Sequence, residues 1–131
     1  MCVPSDFQIL VVDDIDDNIF FLQTILETEG YQVETATDGG TALTKVKDFL
    51  PDLILMDIMM PGMNGYEVTR KIRQNPDLPF IPILMVTAHD NIHTDQQLAL
   101  EPGNFIRKPV ECDQLLSKVA TLLETKADHR D

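Results

Sequence analysis

Leu53-Ile54-Leu55-Met56-Asp57 is the stretch on which the fold turns: four apolar residues in unbroken succession, ended by a carboxylate. An apolar run of this length without alternation suits a strand covered on both faces, as in the parallel sheet of an α/β protein. Pro51 stops the element before it. Downstream, Pro61-Gly62-Met63-Asn64-Gly65 reads as a loop that feeds a helix from about Tyr66 to Gln74.

Outward from this point the same pairing recurs, a short apolar run followed by a segment of helical period, five pairs in all. Ile9-Leu10-Val11-Val12 precedes a helix from Asp16, with Ile19, Leu22, Ile25 and Leu26 on one stripe and Gly30 as its stop. Tyr31 to Ala36 alternates apolar and polar side chains and suits a less buried edge strand. After Asp38-Gly39-Gly40 a helix carries Ala42, Leu43, Val46 and Leu50 and stops before Pro51. Ile81 to Val86 reads as a fourth strand with Pro82 at its start, and Phe105-Ile106-Arg107 as a short fifth. The closing helix begins near Glu111, turns Leu115, Leu116, Val119, Leu122 and Leu123 inward, and gives way to a polar end from Lys126 to Asp131. Between His89 and Asn104 a candidate helix at Ile92 to Leu100 has few apolar anchors, which predicts a short or mobile element. The alternation as a whole predicts a parallel sheet wrapped by helices.

Size and charge narrow the function. At 131 residues and 44% apolar, the chain can bury one core and is short for two domains. Against 22 acidic residues stand 10 basic ones, a formal net charge of -12 that repels a phosphate backbone and argues against direct nucleic-acid binding. Cys2 and Cys112 are too few and too separated for a disulfide framework or a zinc site, which fits a reducing interior. No signal-peptide pattern and no apolar run of membrane-spanning length is present, so the expectation is a cytoplasmic protein with protein partners.

Four of the five strands end in polar residues that packing alone does not call for, namely Asp13 and Asp14, Asp57, Thr87 and Lys108. In a parallel sheet all carboxyl ends share one edge, so these side chains are expected in one crevice, the usual ligand position of an open α/β fold. Each alone reads as a cap or turn residue; together they supply compatible chemistry. Three crowded carboxylates repel unless a cation joins them, and an all-oxygen set favours a hard ion such as magnesium. Lys108 adds positive charge and Thr87 a hydroxyl donor, suited to the oxygens of a transferring phosphoryl group. Asp57, at the end of a buried strand and followed by a loop, is the natural nucleophile, since a carboxylate can attack phosphorus to form an acyl phosphate.

Val11-Val12-Asp13-Asp14, Leu55 to Gly65, Val86-Thr87-Ala88 and Arg107-Lys108-Pro109 together resemble the receiver domain of bacterial two-component response regulators, over about Gln8 to Leu123. The resemblance implies a flavodoxin-like (βα)5 three-layer sandwich with its parallel five-stranded sheet in the order 2-1-3-4-5, which leaves the second strand at an edge. It implies a receiver domain over 8–124, flanked by an extension at 1–7 and a polar tail at 125–131. Asp57 would be the phosphoacceptor; Asp14 and Asp57 would ligate Mg2+, Asp13 would assist through water, and the backbone carbonyl of Met59 would complete the protein's share. Thr87 and Lys108 would bind the phosphoryl oxygens, small Ala88 would leave them room, and Phe105 would be the switch aromatic that turns inward when Thr87 moves. Met59 and His89 stand where the family tunes phosphoryl lifetime. The Lys108-Pro109 bond resembles one that is cis in the family. Implied partners are a histidine kinase or histidine phosphotransfer protein and a downstream target or fused effector domain, with a phosphorylation-dependent homodimer through the last two helices as a further expectation. One departure lies at Glu101-Pro102-Gly103-Asn104, which is one or two residues shorter than the usual receiver pattern before the aromatic.

Two other readings attach to the first acidic cluster. Asp14 and Asp16 have the spacing of an aspartate-x-aspartate phosphatase after a strand, although such enzymes need a larger fold. Asp13, Asp14, Asp16 and Asp17 could suggest calcium, but the glycine and distant glutamate of an EF-hand are missing, and Asp16 and Asp17 are placed to favour a helix N-terminus.

Overall fold

The structure is a computed structural model and describes residues 6–58, 60, 62–87, 105–107 and 110–129. Five strands and, among the described residues, four helices follow one another as β1 (Gln8–Val12), α1 (Asp16–Glu29), β2 (Gln32–Ala36), α2 (Gly39–Phe49), β3 (Leu53–Asp57), α3 (Gly65–Gln74), β4 (Ile83–Thr87), β5 (Phe105–Arg107) and α4 (Cys112–His129). All strand pairs are parallel and the sheet runs β2-β1-β3-β4-β5, the flavodoxin-like order expected. The expected helix at 92–100 and the N-terminal residues 1–5 lie outside the described residues.

Strand alternation divides the core into two layers. Ile9, Val11, Leu53, Leu55, Leu84, Val86 and Ile106 face α1 and α4, where Ile19, Leu22, Leu26, Leu115, Val119 and Leu123 are buried. Leu10, Val12, Ile54, Met56, Ile83 and Met85 face α2 and α3, with Ala42, Val46, Val68 and Ile72. Every residue of β3 is buried, as its unbroken apolar run requires. Burying one such aliphatic side chain contributes about 1.5–3 kcal/mol, so the two layers outweigh local propensity in fixing the helices.

Local chemistry sets the element ends. Gly30 closes α1 at φ 110 and donates its N–H to the Glu27 carbonyl, a left-handed geometry that glycine adopts without a Cβ penalty. Asp38 caps α2 and Asn64 caps α3, each accepting from a backbone N–H three residues on. At the amino end of the sheet Gln8 N–H donates to Asp52 Oδ2 at 2.8 Å while Asp52 N–H donates to the Gln8 carbonyl at 2.7 Å, which pins the starts of β1 and β3 together.

Three expectations need correction. Leu50 does not join the core stripe of α2: it stands just past the helix at φ 47, 49% exposed, because the last turn closes in a left-handed C-cap before Pro51. The fourth strand begins at Ile83 rather than Ile81, and Pro82 precedes the ladder, its carbonyl accepting from Ile54 N–H. The closing helix keeps helical backbone to His129, beyond Lys126. No described helix is long and apolar enough to cross a membrane.

Candidate phosphoryl and metal site

The carboxyl ends of β1 and β3 bring three acids together. Asp13 follows β1 directly; its N–H donates to the Ala36 carbonyl at 3.1 Å, and its Oδ1 accepts from Ile15 N–H at 2.9 Å, a local turn that fixes the side chain before α1 begins. Asp14, next in the chain, is half-buried, and its Oδ1 is enclosed without a hydrogen-bond partner among the described residues. Asp57 is the last residue of β3, paired in register with Val86 and buried. One carboxylate oxygen from each of Asp13, Asp14 and Asp57 lies within 4.8 Å of the others.

Such a trio suits a hard cation. The donors are all oxygen, two of the residues are almost fully enclosed, and Asp14 Oδ1 has an acceptor lone pair to fill. Buried carboxylate oxygens otherwise meet a desolvation penalty that nearby negative charge increases.

The loop after β3 is held at both ends. Ile58 N–H donates to the Val86 carbonyl at 3.2 Å, and the Ile58 carbonyl accepts from Met60 N–H at 3.2 Å and Gly65 N–H at 3.0 Å. Met60 is buried in the layer beneath α2 and α3, and Met63 packs against that layer. Tyr66, in the first turn of α3, encloses its hydroxyl without a hydrogen-bond partner among the described residues, and burial pushes the phenol above its ordinary value. Neither the Met63 contact nor this hydroxyl was foreseen from the sequence, since both arise where α3 meets the rest of the fold.

Thr87 ends β4, one position beyond the Val86 that pairs with Asp57, and so belongs to the same edge of the sheet. Phe105 begins β5, pairs with Met85 and is half-buried against the layer shared with α2 and α3. Met59, Ala88, His89, Lys108 and the Lys108-Pro109 bond lie outside the described residues. Asp16 and Asp17 are exposed in the first turn of α1 and outside the acid trio, which disfavours both the phosphatase and the calcium readings.

A parallel sheet in this order, with acids gathered at its carboxyl edge where open α/β folds place their ligands, defines the flavodoxin-like class of doubly wound domains. Within that class, the sequence pattern of the response regulator receiver domain matches residues 9–120, and this chain belongs to that family. It is 43% identical to the response regulator PleD of Caulobacter vibrioides, over 91% of this chain and 26% of PleD. It is 35% identical to the protein PilH of Pseudomonas aeruginosa, over 88% of this chain and 97% of PilH. Among solved structures, the chemotaxis protein CheY4 of Vibrio cholerae superposes with a TM-score of 0.81 at 32% identity, covering 88% of this chain and 98% of that one. The chain thus spans about a quarter of PleD and nearly all of PilH.

Proposed function

We propose that this receiver is a phosphorylation switch in which Asp57 takes a phosphoryl group from the phosphohistidine of a histidine kinase or histidine phosphotransfer protein. The observation that carries the reading is the meeting of Asp13, Asp14 and Asp57 oxygens within 4.8 Å at the carboxyl edge of the sheet. A carboxylate oxygen of Asp57 forms the new bond to phosphorus as the phosphorus–nitrogen bond of the donor breaks, and the electron pair of that bond stays on the departing imidazole. Asp14 and Asp57 would hold Mg2+ directly, Asp13 through water, and the Met59 carbonyl would complete the set. When bound, the ion supplies charge neutralisation for the crowded carboxylates and the transferring oxygens. Thr87 and Lys108 bind the phosphoryl oxygens, and Phe105 follows Thr87 as the switch.

The output is a change in protein contacts. Relatives of two lengths, one nearly matched and one about four times longer, allow either a docking target or an effector fused in the same chain. The net charge of -12 speaks against this domain gripping nucleic acid itself, and the cysteine usage fits the cytoplasm. Phosphorylation-dependent self-association is part of the reading, and light scattering with and without beryllofluoride tests it.

The site assignment is tested by binding of beryllofluoride, a phosphoryl mimic, followed by amide NMR. Native protein is expected to shift resonances of the β3–α3 loop when both magnesium and beryllofluoride are present. Asp57→Asn is expected to show no such shift, and an equal response from that variant overturns the assignment.

A further inference from the structure

Gly39, the first residue of α2, has no conformational need to be glycine, since it is not among the residues at positive φ. Helix propensity favours alanine there. What excludes a side chain is a neighbour from the acceptor loop: a methyl group at position 39 would stand 2.9 Å from Met63 Sδ, 3.0 Å from Met63 Cβ and 2.9 Å from Val68 Cγ2. The sulfur lies far out on a flexible side chain and could swing aside. Met63 Cβ is fixed to the loop backbone, however, and Val68 is a stiff, β-branched residue that is fully buried in the first turns of α3. Met63 therefore sits in a notch that only a missing side chain leaves open.

We infer that Met63, seated in the Gly39 notch, is a positioning residue for the metal-binding loop that follows Asp57. The inference rests on the phosphorylation reading above and adds to it a residue that touches neither phosphoryl group nor ion. The loop runs from Ile58 to Asn64, and its described apolar anchors after Ile58 are Met60, buried in the α2–α3 layer, and Met63 in the notch. The first anchor ties the loop to the core. The second ties it to α2, whose cap Asp38 lies two residues past the Ala36 carbonyl that accepts from Asp13 N–H. Through Met63 the loop is thus braced against the β2–α2 turn that also holds the backbone of Asp13, in addition to the direct pairing of β1 with β3. Loss of the brace lets the loop move relative to Asp13 and Asp14 without removing any ligand.

The test is calorimetric titration with magnesium chloride of native protein and of Gly39→Ala, Met63→Ala and Met63→Leu. Circular dichroism melts show that each is folded at the titration temperature. Both single alanine variants are expected to bind magnesium at least threefold more weakly, and Met63→Leu, which preserves volume, near the native value. Hydrogen exchange at the amides of residues 62–65 is expected to quicken in the two single variants. Should Gly39→Ala fold poorly, Met63→Ala decides alone, because a half-buried residue tolerates truncation. Native affinity in Met63→Ala overturns the inference while leaving the phosphorylation reading intact; native protein that neither binds magnesium nor accepts phosphoryl from acetyl phosphate overturns both.

Discussion

Gly65 lies directly against the backbone of Asp57: a methyl group at position 65 would collide with the Asp57 carbonyl oxygen and stand 3.0 Å from both Ile58 Cα and Met56 Cγ. Helix α3 can therefore begin immediately over the end of β3, and the loop that follows Asp57 is kept short. Gly65→Ala is expected to destabilise the protein by about 1–3 kcal/mol, because backbone and not a flexible side-chain tip has to move. Urea denaturation measures this. An unchanged midpoint with an unchanged slope would mean that the close approach is not a constraint.

The opposite end of the sheet is held by Gln8 and Asp52, which exchange two hydrogen bonds. Replacing Asp52 by Ala leaves the Gln8 N–H in a partly buried place without its acceptor, and a loss of about 1–3 kcal/mol in stability is expected. Magnesium affinity should stay native in this variant, since the lost contact lies at the starts of β1 and β3 and the acid trio at their ends. A fall in both quantities would contradict a division of the molecule into a structural and a functional rim.

Magnesium should reverse the order of stability of native protein and Asp14→Asn. Without the ion, removing one of three crowded charges relieves repulsion worth about 1 kcal/mol even at the dielectric of water, so the variant should melt higher than native protein. With the ion at about a hundred times its dissociation constant, native protein gains about 2.7 kcal/mol and the order should reverse. Melting curves with chelator and with magnesium check both arms, and a variant that melts below native protein in chelator would argue against repulsion at the trio.

At low pH, Asp38 provides a local test. The Thr41 N–H, and then the Thr41 hydroxyl, donate to its carboxylate and hold it below its ordinary value of 3.8. A carboxyl group with a lowered folded-state pKa contributes stability that is present above 3.8 and is lost as pH falls through the lower folded value. Between Asp38→Asn and native protein, the stability difference should therefore be constant near neutrality and shrink on acidification below 3.8, in urea titrations at stepped pH. A difference that stays flat into that acid range would show that the cap carries no charge-dependent component.

Much of this architecture is legible in single residues, and the limits are physical. The runs Ile9 to Val12 and Leu53 to Met56 announce buried parallel strands, and the rule that parallel strands share a carboxyl edge then brings Asp13, Asp14 and Asp57 together. Periodicity misplaces Leu50 because a left-handed C-cap breaks the stripe one residue before Pro51, and misplaces Ile81 because an apolar residue before a proline looks like strand. Asp52, Gly39, Gly65 and Met63 are illegible for another reason. Their roles are close approaches between elements distant in sequence, and no local pattern encodes which glycine will meet which neighbour.

The most direct test of phosphoryl acceptance at Asp57 is incubation with acetyl phosphate and magnesium, followed by intact and peptide mass spectrometry. The expected result is addition of one phosphoryl group, found on the peptide containing Asp57, not formed when magnesium is chelated and absent in Asp57→Asn. Equal labelling of Asp57→Asn, or a phosphoryl group found on Asp14 in native protein, would contradict it.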